Sequence, residues 1–153
     1  MQLNSPCTCF SVRRLARRVT QLYDQHLAHL GIRTTQYSLL SHVRARPGQS
    51  MSELALRMGM DRSTLTRNLR PLVDAGWAAT GREQDRRTVT VTVTDPGRRL
   101  LADARVHWRR AQDELEARLG VEQVRRLHHL VEDASGHLEA GTDESPRGRG
   151  DRR

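Results

Sequence analysis

A chain of 153 residues holds one compact domain, or one reading unit with a helical frame, and is too short for two independent domains. Its residues are 36% hydrophobic but include only one Phe, two Trp and two Tyr, so the core must be mostly Leu, Val and Ala, a composition suited to packed helices. The 26 basic residues, all Arg, against 18 acidic ones give a formal charge of +8, the footprint of a surface that neutralises phosphates.

Residues 1–9 read as an N-terminal extension whose only chemistry is Cys7-x-Cys9. Two cysteines this close cannot staple a fold, but they suit a reactive thiol pair in a reducing compartment. From 10 to 31, Leu15, Val19, Leu22, Tyr23 and Leu27 recur at helical spacing, with Arg13, Arg14, Arg17 and Arg18 elsewhere on the wheel. A second helix is predicted over 35–45, capped by Thr34 or Thr35 and stopped by Pro47-Gly48. A short third helix follows over 50–58, with Ser52 as its cap. After the turn Met58-Gly59-Met60-Asp61, a fourth helix begins at Asp61 and Ser63 and runs through Leu65, Leu69 and Leu72 to Gly76, completing a helix-turn-helix.

Past Gly76 the period changes from 3.6 to 2. Thr88 to Thr94 alternates Thr with Val, a half-buried strand whose partner is Trp77 to Thr80. The polar loop from Gly81 to Arg87, with Arg82, Arg86 and Arg87, makes the hairpin a wing. Asp95-Pro96 can start a long helix to Leu119, Gly120 breaks it, and a last helix fits 121–138. The Gly-, Pro- and Arg-rich tail, 140–153, reads as disordered. The expected fold is therefore mainly α with a small β wing: a winged helix over 34–95, and a helical dimerisation frame from 10–31 and 96–139. No run approaches the roughly 18 residues of a membrane span and no secretory pattern opens the chain, so a cytoplasmic protein is expected.

Two segments resemble the MarR family of winged-helix transcriptional regulators: Met60 to Leu72 with Gly76-Trp77, and Asp85-Arg86-Arg87-Thr88 through Val91, Thr94 and Gly97 to Leu100. The resemblance implies a homodimer on pseudo-palindromic double-stranded DNA, usually as a repressor. It implies a recognition helix in which Arg62, Ser63, Thr64, Thr66 and Arg67 read base edges, with Asn68 and Arg70 placed for phosphates. In the wing, Arg86 and Arg87 would reach the minor groove, with Asp85 holding one of them extended. Ser38 and Arg57 are further candidates for phosphate contact. The dimer would bury Val12, Leu15, Leu119, Leu127, Leu130, Val131 and Leu138.

Two effectors fit the residues. Cys9 stands just before the first helix, where this family's organic-hydroperoxide sensors carry their reactive cysteine, and a helix N-terminus favours the thiolate. Tyr23 falls where one of their cysteine-binding tyrosines lies and could meet Cys9 only across the dimer. Arg13 and Thr34 replace the other tyrosines, and Cys7 is the sole thiol available to resolve a sulfenic acid. Alternatively a small aromatic or anionic ligand enters a cleft lined by Arg13, Arg14, Arg17, His26, His29 and Tyr37. Cys-x-Cys with a histidine is too little to assign a metal site, and His128-His129 read as surface. A different class of function is an architectural DNA-binding protein without an effector. No paired carboxylates, catalytic triad or phosphate-binding glycine loop suggests an enzyme, and no cofactor is expected.

Overall fold

The computed structural model describes residues 7–82 and 88–140. These residues fall into two compact units divided after Gln112. The first contains α1 (Thr8–Leu27), a single 3-10 turn (Ala28–Leu30), α2 (Thr34–Ala45), α3 (Met51–Arg57), α4 (Arg62–Asp74), β1 (Ala78–Arg82), β2 (Val89–Val93) and most of α5 (Asp95–Leu119). The second holds the end of α5 and α6 (Val121–Ala140).

The predicted elements are present, with shifted boundaries that matter for function. The first helix begins two residues early, so Cys9 lies within its first turn rather than ahead of it, and Cys7 occupies the N-cap. Neither Thr34 nor Thr35 caps α2: its N-cap is Arg33, and the Asp24 carboxylate accepts the Thr34 backbone N–H at 2.7 Å. Ser50, not Ser52, caps α3. Its hydroxyl accepts the Glu53 N–H at 3.1 Å while the Glu53 carboxylate accepts the Ser50 N–H at 2.7 Å, a reciprocal box that satisfies two end donors. The tight turn between α3 and α4 is made at Gly59, whose φ of +60° suits a residue without a β-carbon.

One cluster of Leu, Val, Ile, Ala and Met fills the first unit. Leu27, Leu40, Leu54, Leu65, Leu72 and Val91 are fully buried in it. The wing is an antiparallel pair in register Ala78↔Val93, Thr80↔Val91 and Arg82↔Val89. Val91 and Val93 are buried while Thr92 is exposed, as the alternation requires. A single bridge between Ser50 and Thr90 ties the start of α3 to the wing.

The wing joins α5 through Thr94 rather than through Asp95. The Thr94 hydroxyl donates to the Gly76 carbonyl at 2.5 Å and accepts the Gly97 N–H at 3.2 Å, while Asp95 forms an ion pair with Arg98. Gly97 is packed against the Trp77 carbonyl so closely that a β-carbon would lie 2.0 Å from that oxygen. In the second unit, Gly120 (φ +88°) ends α5, and ion pairs Arg118–Glu114, Arg125–Glu122 and Arg126–Glu122 run along its helices. The expected tail, 141–153, lies outside the described residues.

Candidate nucleic-acid interface

The fourth helix is anchored on one side and offered on the other. Leu65, Leu69 and Leu72 sink into the core, while Arg62, Ser63, Thr66, Arg67 and Arg70, spaced to share the opposite face, line an open groove of about 610 Å³. Asp61 fixes the start of the helix. Its carboxylate accepts the Ser63 hydroxyl at 2.5 Å, the Thr64 N–H at 2.8 Å and the Thr64 hydroxyl at 2.7 Å. These hydrogen bonds, the Ser63 hydroxyl's foremost, hold Asp61 far below the ordinary carboxylate range.

This arrangement narrows the set of readers taken from the sequence. The hydroxyl protons of Ser63 and Thr64 are committed to Asp61, and that of Thr66 to the Arg62 carbonyl at 2.8 Å, so these three can offer DNA only lone pairs and methyl surface. Arg70 faces Asp74 at 3.8 Å, and the Asn68 amide leans on the Met60 sulfur at 3.6 Å. Arg62 and Arg67 are exposed and make no hydrogen bond or ion pair among the described residues. Arg57 is turned inward: it is half-buried and donates to the His42 carbonyl, which withdraws it from phosphate contact.

Two recesses flank the helix. One, of about 450 Å³, lies between α2 and α4, with Arg33, Gln36, Ser38, Met60, Arg67 and Asn68 in its wall. The other, about 140 Å³, is bounded by Ser50, Ser52, Arg62, Thr88 and Val89. Both therefore include an arginine of α4. Asp85, Arg86 and Arg87 lie outside the described residues.

The candidate sensor residues are separate from this face. Cys7 and Cys9 are both exposed free thiols. Tyr23 is buried, donates to the Gln112 side-chain oxygen and packs against Trp108 with ring centroids 6.1 Å apart. Tyr37 stacks on the same indole, 6.3 Å from Trp108 at an interplanar angle of 25°. Arg13 and Arg17 are exposed on α1 and His26 is half-buried. None of Arg13, Arg17, His26 and Tyr37 lines the recess beside α4. Trp108 and Gln112 were not singled out in the sequence, although Ala104, Trp108, Ala111 and Leu115 mark the inner stripe of α5 at helical spacing.

The MarR family profile matches residues 30–88, from the end of the 3-10 turn to the residue before β2. The transcriptional regulator MosR of M. tuberculosis, solved with DNA, is 35% identical with a TM-score of 0.75, over 87% of this chain and 98% of its own. The chain belongs to the MarR family. The repressor CouR, solved on a 23-mer DNA duplex, is 25% identical with a TM-score of 0.77, over 84% of this MarR-family chain and 92% of its own. The regulator TtmR of Methylorubrum extorquens is 33% identical over 60% of the chain, which spans 48% of TtmR's length. The matched MarR-family proteins are transcriptional regulators, not enzymes, and among the described residues no helix is long and apolar enough to cross a membrane.

Proposed function

We propose that this MarR-family protein is a homodimeric repressor that holds a pseudo-palindromic operator through α4 and the wing and is released by an effector. The observation that carries the reading is the exposed pair Arg62 and Arg67, without a hydrogen-bond or ion-pair partner among the described residues, on a helix whose other face is locked in the core. A guanidinium free of intramolecular partners can form the bidentate contact to guanine that is the commonest specific contact in the major groove. Asn68 and Arg70 then serve phosphates, as do Arg86 and Arg87 of the wing if they meet the minor groove beside Asp85.

A second copy is the proposed cover for the apolar side chains that remain outside: Phe10, Val12 and Leu15 on α1, and Leu119, Leu130, Val131 and Leu138 in the second unit. A two-fold dimer also matches two recognition helices to two half-sites, one helical turn apart.

Two effectors remain, each with its own observation. Exposure of both thiols, with Cys9 inside the first turn of α1, favours oxidation, and Cys7 is the thiol at hand to resolve the sulfenic acid. The recess that shares Arg67 with the reading face favours a small anion, because a carboxylate seated against Arg33 and Arg67 takes a base reader away from DNA. The test is fluorescence anisotropy on DNA from upstream of the protein's own gene, reduced and then treated with cumene hydroperoxide, beside Cys9→Ser. Release of the wild type alone, reversed by reductant, assigns the switch to Cys9. Equal insensitivity of both proteins removes the thiols and leaves aromatic acids to be titrated in the same assay. Binding with no preference for that DNA over a scrambled duplex instead returns the architectural reading.

A further inference from the structure

From the meeting of His29 and His107, we infer that this chain binds a divalent transition-metal ion between the 3-10 turn that follows α1 and α5. The two residues are 78 positions apart, and their Nε2 atoms stand 3.1 Å from each other. Two imidazole nitrogens ligating one ion at 2.0–2.1 Å, with an angle between a right angle and the tetrahedral one, are separated by about 2.9–3.4 Å. The observed gap falls inside that window.

The pair has further properties of a chelate. Each histidine presents Nε2, the more accessible ring nitrogen, and each is held by a different helical segment, so an ion would bridge two elements instead of decorating one. The rings meet edge to face, with centroids 4.1 Å apart and planes inclined by 68°. His29 is exposed and His107 half-buried, which leaves the site open to entry from solvent.

Among the described residues no group of three or more His, Cys, Asp and Glu side chains is placed to hold an ion. The described residues therefore supply two ligands, and water completes the shell. Such a site prefers ions that suit imidazole and tolerate partial hydration, in the order Cu²⁺ above Ni²⁺ and Zn²⁺. Because the ion binds only where the 3-10 turn and α5 are already side by side, it stabilises the folded arrangement by mass action.

The competing explanation of the same 3.1 Å is a single hydrogen bond between two neutral imidazoles. Calorimetric titration of the full chain, purified without a histidine tag and stripped of metal, with NiCl₂ and ZnCl₂ separates the two. The expected result is one ion per chain, with affinity lowered at least tenfold in His29→Ala and again in His107→Ala, and unchanged in the Cys7→Ser/Cys9→Ser double variant and in His128→Ala/His129→Ala. Circular dichroism confirms that each variant is folded, and His107→Gln replaces His107→Ala if the alanine variant is not. No binding by the wild type would leave the imidazole hydrogen bond alone and overturn the inference. So would binding that survives both His29→Ala and the His107 variant, or that disappears with the cysteines.

Discussion

At the scale of single residues, the start of α4 is governed by Asp61. One carboxylate closes the helix start and takes the protons of two hydroxyls, so it sets which side chains are left to meet a ligand. Arg67 is the principal reader on the proposed function. Arg67→Ala is expected to cost about 1–3 kcal/mol of specific binding and to relax preference at one base position, measured by anisotropy over single-base operator variants. Asp61 also imposes a pH dependence. Its folded pKa, and that of Glu53, lie below their ordinary values of 3.8 and 4.5, so the stability they contribute is present at neutral pH and lost as pH falls below about 4.5. Asp61→Asn should melt lower than the wild type at pH 7, and the gap in melting temperature should shrink by pH 3, where the Asp61 carboxyl of the unfolded chain takes up a proton and that of the folded chain does not. The sequence made Asp61 legible because an N-cap acidic residue follows a Gly-containing turn. It makes Ser50 equally legible through its spacing to Glu53, although Ser52 also stands ahead of the inward-facing Leu54 and Ala55.

At the scale of elements, helices and wing were readable because the chain switches cleanly from a period of 3.6 to one of 2 at Gly76. Their ends were not, since the deciding hydrogen bonds come from outside the helix. Asp24 on α1 holds the first N–H of α2, and Thr94 rather than Asp95 accepts at the start of α5. The joint between wing and α5 is the tightest packing at any described glycine. Gly97→Ala forces a methyl against the Trp77 carbonyl and is expected to destabilise by roughly 1–3 kcal/mol in urea denaturation, the usual cost of overpacking. Gly136→Ala in α6, where the added carbon meets nothing within 4 Å, should instead stabilise by up to about 1 kcal/mol through helix propensity. Opposite signs in one assay would separate close packing from backbone freedom.

At the scale of the molecule, contacts distant in sequence escape any local pattern. Tyr23 and Gln112 are 89 residues apart and His29 and His107 are 78, and no periodicity in either segment points to the other. The exposed apolar stripes were visible beforehand, because helices that bury one face and still carry Leu and Val on another need a further surface. Charge acts at this scale too. With +8 on the chain, binding should weaken steeply with salt, and Arg87→Ala should lower the slope of log K against log salt by about 1, the share of one phosphate contact, while leaving base preference unchanged. A slope equal to the wild type's would remove Arg87 from the interface.

The network around Asp61 has a consequence for the kind of DNA this protein can recognise. With serine and threonine protons withdrawn into the helix start, the free donors at the reading face are guanidinium groups, and the base edge that best answers a guanidinium is the paired O6 and N7 of guanine. The operator's information should then be concentrated in one or two guanines per half-site, with weak constraint between them. Methylating those guanines at N7 with dimethyl sulfate should abolish binding, whereas exchanging adenine for 7-deazaadenine at intervening positions, which removes N7 and keeps the A·T pair, should pass almost unnoticed.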